Sequence, residues 1–241
     1  MIILYRILPA FVCLCLLSGC TPKPQPRTPA LARYAVSFVG PLDTVTNFTA
    51  YCPTQAVFDQ VSNQVEAELN RLDTLFNHYN PDSPLARINA AAGTVPSEDT
   101  PPEILELLAY CREKQTSVQG VNVAMGAVLS LWNQARESGV PPTAAAVEEA
   151  MRHVSMDGVC VRDKRLTLSD SAMTLDFGAV AKGFAAKKLA QIVTEAGIGA
   201  FLLDCGTSTL VCAGTPPDKD GWQIAVRHPD AALNLSGSSQ P

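Results

Sequence analysis

The chain has 241 residues, a formal charge of −5 and 47% apolar residues. That length and apolar content support one sizeable domain with its own core and exclude a disordered chain. The mild acidity argues against a nucleic-acid surface. His78, His153 and His228 stand far apart and no C-x-x-C occurs, so zinc spacing is absent.

The N-terminal stretch "MIILYRILPAFVCLCLLSGC" carries Arg6, then an apolar run from Ile7 to Leu17. It is too short to span a bilayer and reads as a secretory signal over residues 1–19. Its end, Leu17-Ser18-Gly19-Cys20, resembles a bacterial lipobox. That resemblance implies cleavage before Cys20 and diacylation of its thiol. The protein would then be lipid-anchored to a bacterial cell membrane on its extracytoplasmic face. Residues 20–31 contain four prolines and form a semi-extended tether. Residues 32–241 form the domain. Its cysteines are Cys52, Cys111, Cys160, Cys205 and Cys212. An odd number in an oxidising compartment leaves at least one free or buried, and spacing settles no pairing.

Within the domain, "RYAVSFVG" alternates as a strand with Tyr34, Val36 and Phe38 on one face. Pro41 interrupts it, and "DTVTNFTAY" resumes as a second strand. The clearest helix is "TQAVFDQVSNQVEAELNRLDTLFN", where Val57, Val61, Val65, Leu69, Leu72 and Phe76 follow helical spacing. Residues 78–102 are rich in turn formers and read as a loop. Thr100-Pro101-Pro102-Glu103 has the form of a capping box opening a helix to about Lys114. "GVNVAMGAVLSLWNQA" is helical in its second half, and "PPTAAAVEEAMRHV" is a further helix. "GVCVR", "RLTLS" and "AMTLD" read as short strands. A helix, then "AFLLDCGTSTLVCAG" and "WQIAVRHP" as strands, complete the order. Strands and helices mixed without regular alternation indicate an α+β fold. The turn-rich "DAALNLSGSSQP" at the end is expected to lead into another element.

One stretch carries chemistry. "TLDFGAVAKGFAAKKLAQIV", Thr174 to Val193, is a strand end feeding a helix. Backbone N–H groups and the helix dipole at such a junction suit an anion such as a phosphate. Lys182 can reach back to the same place. Gly183 costs about 1 kcal/mol in a helix relative to alanine, so close packing or ligand approach should compensate. Asp176 could cap the helix, bind a ribose or amide, or coordinate a cation. The same residues also fit a capped helix resting on a core.

"LDFGAVAKGFAAKKLAQIV" resembles the D-L-G-x-x-A-K-G-Y-A signature of the ApbE family of flavin transferases. Further pieces come in the family's order. "GPLDTVTNFTAY" is similar to its early strand pair, and "LFNHYNPDSPLARIN" to its S-x-Y-x-x-x-S-x-L-x-x-I-N. "GVNVAMGAVLSLW" stands where the family has G-A-F-D-x-T-x-x-P-L-x-x-L-W. "GWQIAVRHP" is similar to its W-x-I-x-I-x-x-P. The resemblance runs from about Phe38 to Pro229 and implies an ApbE-like fold of mixed sheets and packed helices around an FAD cleft.

It also implies FAD contacts at Leu42, Tyr79, Val121, Asn122, Val123, Asp176 and Lys182, and an Mg²⁺ ligand in the backbone carbonyl of Ala179. Tyr79 would lie against the flavin, for which an aromatic face is a suitable platform. Two departures stand out. The family's A-F-D segment is Val121-Asn122-Val123 here, so its aspartate is lost. The family also continues through H-x-x-D-P to A-D-A-x-x-T, which supplies further Mg²⁺ ligands and the base. The chain is expected to be C-terminally truncated relative to that pattern, and no catalytic residue is assigned.

The implied activity is transfer of FMN from FAD to a threonine hydroxyl of an acceptor protein, a membrane redox subunit, with release of AMP. Two other readings share the site: a non-catalytic FAD-binding lipoprotein and an FAD pyrophosphatase. The nucleophile-elbow and P-loop patterns are absent.

Overall fold

The computed structural model describes residues 30–96, 98–117, 120–206 and 208–226. The signal, Cys20 and the lipobox, and the stretch after Val226, lie outside the described residues. The chain divides between Leu31 and Ala32, and every described helix and strand belongs to the part from Ala32 on.

β1 (Ala32–Val39) and β2 (Val45–Cys52) pair antiparallel, with Val39 opposite Val45. β2 also pairs with β5 (Phe201–Cys205), which pairs with β6 (Thr209–Ala213), both antiparallel. The sheet order is β1-β2-β5-β6. Period-two burial gives this sheet one apolar face: Phe48, Ala50 and Cys52 from β2, and Phe201, Leu203 and Cys205 from β5. A separate hairpin joins β3 (Val159–Arg162) to β4 (Arg165–Leu168).

Two long helices cover the sheet. α1 (Gln55–Phe76) starts from Thr54, whose hydroxyl accepts the Val57 N–H. α6 (Gly178–Glu195) is the helix of the chemical stretch. Phe58, Val61, Val65 and Leu69 of α1 pack on the sheet with Ala186, Leu189 and Val193 of α6. The remaining ends of both helices enter a second core. There Leu72, Leu75 and Phe76 of α1 meet Ala181, Phe184 and Ala185 of α6. The two helices therefore run in opposite directions, and the end of α1 lies beside the start of α6. α2 (Pro84–Ala90), α3 (Pro102–Ser117) and the β3–β4 hairpin close this second core. α4 (Gly126–Ser138) and α5 (Ala144–Met151) pack on each other.

Several expectations change. The stretch read as a loop contains α2: the Ser83 hydroxyl accepts the Ala86 N–H at 2.9 Å, Pro84 opens the first turn, and Leu85 and Ile88 are buried. The capping box at Thr100 does not form. Its hydroxyl accepts the Leu166 N–H of β4 at 2.8 Å, while Glu103 pairs with Arg71 at 2.7 Å. In α1 Val57 is half-buried, and Phe58 takes the buried place, stacked on Phe48.

"AMTLD" forms no strand. Its partner is a side chain: the Asn89 amide donates to the Leu175 carbonyl and accepts the Leu175 N–H, both at 2.9 Å. One asparagine thus does the work of a neighbouring strand. Residues 222–226 likewise join no sheet. Trp222 instead donates its ring N–H to the carbonyls of Ala213 and Gly214 and sets its ring against Tyr51. The domain cysteines are unpaired, with Cys52, Cys111 and Cys205 buried. Among the described residues, no helix is long and apolar enough to cross a membrane.

Two substitutions test this architecture. Leu69→Ala, at a side chain with no exposed surface, should lower unfolding free energy by about 3 kcal/mol, whereas Gln64→Ala on the outer face of α1 should stay within about 0.5 kcal/mol. Urea unfolding measures both. Asn89→Ala strands both backbone groups of Leu175 and should cost about 2 kcal/mol or more in the same assay.

Candidate active site

The run from Thr174 to Phe177 is held on two sides. Asn89 grips Leu175, the Asp176 N–H donates to the Val123 carbonyl at 2.8 Å, and the Gly126 N–H donates to the Thr174 carbonyl at 2.9 Å. A Cβ at Gly126 would sit 2.6 Å from the Thr174 carbonyl oxygen, so this approach requires glycine. The run ends by placing Asp176 at the mouth of α6.

Asp176 stands two residues before the first residue of that helix, Gly178, and receives its N–H. Its Oδ1 accepts the Gly178 N–H at 2.7 Å, and its side chain is only 10% exposed. A Cβ on Gly178 would come to 3.0 Å from the same oxygen, a tight contact. Oδ2 lies 3.9 Å from Nε2 of His78. Lys182 stands one turn further along α6, half-buried. Gly183 is exposed, and a Cβ there would meet nothing within 4 Å, so close packing is not its reason.

These groups open onto a cleft of about 460 Å³ between the end of α1, the start of α6, α4 and the turn joining β1 to β2. Leu42, Tyr79, Asp176, Ala179 and Lys182, five of the residues singled out from sequence, line it together. Asp43, Asp73, His78, Asn133 and Arg136 line it as well, and sequence reasoning missed them. They arrive from four places: the β1–β2 turn, α1, the segment after α1, and α4. Asn133 and Arg136 are three apart on α4, a spacing that puts them on one helical face.

The turn carrying Leu42 is unusual. Leu42 has φ 56° and Asp43 φ 52°, and a left-handed backbone at a residue as bulky as leucine is an outlier. Such positions cost on the order of 1–3 kcal/mol each and persist where surrounding contacts hold them. Here the Leu42 N–H donates to Asp73 Oδ1 at 2.8 Å, and the Asp43 N–H donates to the Gly40 carbonyl at 3.0 Å.

Tyr79 is 63% exposed, with its ring 4.0 Å from that of His78. Its hydroxyl accepts a hydrogen bond from the Asn133 side-chain amide. Partial desolvation, and then the charge of Asp176, push the phenol above its ordinary pKa.

Val121, Asn122 and Val123 do not line this cleft. Val123 is buried in the second core and supplies the carbonyl that holds Asp176, and Val121 packs on that core. The Asn122 side chain accepts the Ala124 N–H at 2.8 Å.

The cleft is lined by charges of both signs, Asp43, Asp73 and Asp176 beside Lys182 and Arg136. The carboxylates of Asp73 and Asp176 are each engaged by a backbone N–H. Lys182 and Arg136 have no ion pair among the described residues, and both border the cleft at the positive end of α6.

Comparison with known proteins agrees with this picture. FAD:protein FMN transferase of Treponema pallidum is 29% identical over 164 residues, covering 61% of this chain and 45% of the relative. The Klebsiella pneumoniae protein of the same name is 24% identical over 220 residues, covering 89% of this chain and 62% of the relative. The chain thus spans about half to two thirds of the length of these relatives. The apo form of the Pseudomonas stutzeri flavinyl transferase ApbE superposes with TM-score 0.71 at 23% identity, covering 82% of this chain and 64% of that one. Flavin transferase ApbE from Vibrio cholerae gives TM-score 0.74 at 17% identity, covering 83% and 65%. These likenesses show the fold, an α+β arrangement of ApbE type. The ApbE family matches residues 42–240, most of the sequence, and the chain belongs to that family.

Proposed function

We propose that this chain works as an FAD:protein FMN transferase, moving FMN from FAD to a threonine hydroxyl of an acceptor protein and releasing AMP. One observation carries the reading: in a chain of this family, a single cleft gathers Leu42, Tyr79, Asp176, Ala179 and Lys182. Lys182 and Arg136 would hold the pyrophosphate, Arg136 with a fork suited to two phosphate oxygens. Tyr79, braced by His78 and Asn133, would offer its ring to the isoalloxazine. Asp176 would keep the mouth of α6 in shape and accept from the ligand's hydroxyl or amide groups.

In the transfer, the threonine oxygen attacks the FMN-side phosphorus. A new P–O bond forms, the bond to the bridging oxygen breaks, and AMP departs with that oxygen. The hydroxyl proton goes to a carboxylate base, a role assigned to no described residue. Orientation and charge stabilisation by the cleft account for what this chain contributes.

Magnesium belongs to the proposal through the family resemblance. Mg²⁺ wants near-octahedral oxygen ligation. Among the described residues, no group of three or more His, Cys, Asp or Glu side chains could hold a metal, and the Ala179 carbonyl alone does not make such a site. The described residues therefore do not fit the ion by themselves, and no step of the transfer is routed through it. The proposal also places the protein on the extracytoplasmic face of a bacterial membrane, anchored by lipid on Cys20, with a membrane redox subunit as acceptor.

The test mixes the chain with FAD, Mg²⁺ and a threonine-bearing acceptor domain and records the acceptor's intact mass. Gain of one FMN is the expected result. AMP and FMN released with no gain would make the chain a pyrophosphatase, and FAD bound but unchanged would make it a binding protein. Lys182→Met should weaken FAD binding at least tenfold, read by quenching of flavin fluorescence, while leaving the melting temperature within a few degrees. Expressed with its leader, the chain should partition into detergent, and Cys20→Ala should move it to the aqueous phase.

A further inference from the structure

We infer that Asp73 is a positioning residue of the cleft, holding the Leu42–Asp43 turn in the left-handed conformation that forms the wall against which the flavin dinucleotide is seated. This rests on the proposed FAD-dependent function.

Four non-glycine residues have positive φ among the described residues: Leu42, Asp43, Asp163 and Lys164. The second pair forms the two-residue loop between β3 and β4, where a hairpin demands such angles at both positions. The first pair forms part of the five-residue connection from β1 to β2, and both of its residues line the cleft. Leucine has no side-chain oxygen with which to stabilise this conformation locally, so the support must come from elsewhere.

That support has two parts. The stem is held by its own backbone, with the Gly40 N–H donating to the Thr44 carbonyl at 3.1 Å. Thr44 in turn lies over Gly206 of the β5–β6 connection. A Cβ on Gly206 would fall 1.7 Å from the Thr44 hydroxyl oxygen, so the contact depends on glycine. The tip is held from α1, where Asp73 Oδ1 accepts the Leu42 N–H at 2.8 Å across 31 residues of sequence. Asp73 is half-buried on the last turn of α1, whose second-core side chains fix its place. Its carboxylate also borders the cleft. A positioning role needs only the accepting oxygen, whereas a direct contact with the ligand through its charge needs the carboxylate. Asparagine keeps the first and removes the second.

The experiment compares the wild-type chain with Asp73→Asn and Asp73→Ala by FAD titration and by hydrogen exchange of the Leu42 amide. D73A should speed Leu42 exchange and raise the Kd for FAD, each about tenfold, with exchange in β2 unchanged. D73N should stay within about threefold of wild type on both readouts. D73A with wild-type FAD affinity would overturn the proposal. So would D73N binding as weakly as D73A, because the charge rather than the turn would then matter. If D73A does not fold, Asp73→Ser, too short to reach Leu42, takes its place with the same expectations. A wild-type chain that binds no FAD overturns the functional reading and the ligand named here, while the exchange comparison still decides whether Asp73 holds the turn.

Discussion

The site depends on one junction, where Phe76 at the end of α1 meets Phe177 and Phe184 at the start of α6. Its ring centroid lies 5.8 Å from the first, tilted, and 5.7 Å from the second, edge-on. Pairs of this geometry add to simple burial and fix relative orientation. They lock two antiparallel helices whose other ends are committed to the sheet. With that contact set, Asp73 and His78 come from the α1 side and Asp176 and Lys182 from the α6 side, facing one space. Moving either helix by a turn would carry its residues about 5 Å away from the cleft.

Legibility tracks the range of the interaction that forms each element. α1 and α6 can be read because a long apolar stripe repeats the same message over several turns. The β1–β2 and β3–β4 pairs can be read because their partners are neighbours in sequence. α2 is hidden, since seven residues amid turn formers offer little periodicity, although Ser83-Pro84 carries a start signal. "AMTLD" misleads for a different reason: its alternation is genuine, but the pairing group is the side chain of Asn89, 86 residues away. The Thr100 motif has a valid local partner in sequence and finds a better one in β4.

The same distinction divides the site. Asp176, Gly178, Ala179 and Lys182 fall in one short stretch with a recognisable spacing. Asp73, Asn133 and Arg136 each resemble the polar side of an amphipathic helix until the fold turns that side toward the cleft. The left-handed backbone of Leu42 is illegible for a further reason. Leucine is not a turn former, and its angles depend on Asp73 and on the glycine opposite Thr44, neither of them local.

The cleft's charge arrangement comes from how its carboxylates are used. Three aspartates, Asp43, Asp73 and Asp176, line the cleft that the proposed function gives to an anion, which they would repel if no basic group faced it too. Asp73 and Asp176 each accept a backbone N–H, and Asp176 also lies on the positive end of α6. Those oxygens shape the turn and the helix mouth, while the carboxylates keep their charge and Asp176 still acts on the Tyr79 phenol. Lys182 and Arg136, which have no ion pair among the described residues, are the groups that on the proposed reading meet the ligand's phosphates. On that reading the acidic groups set the geometry and the basic groups supply the attraction.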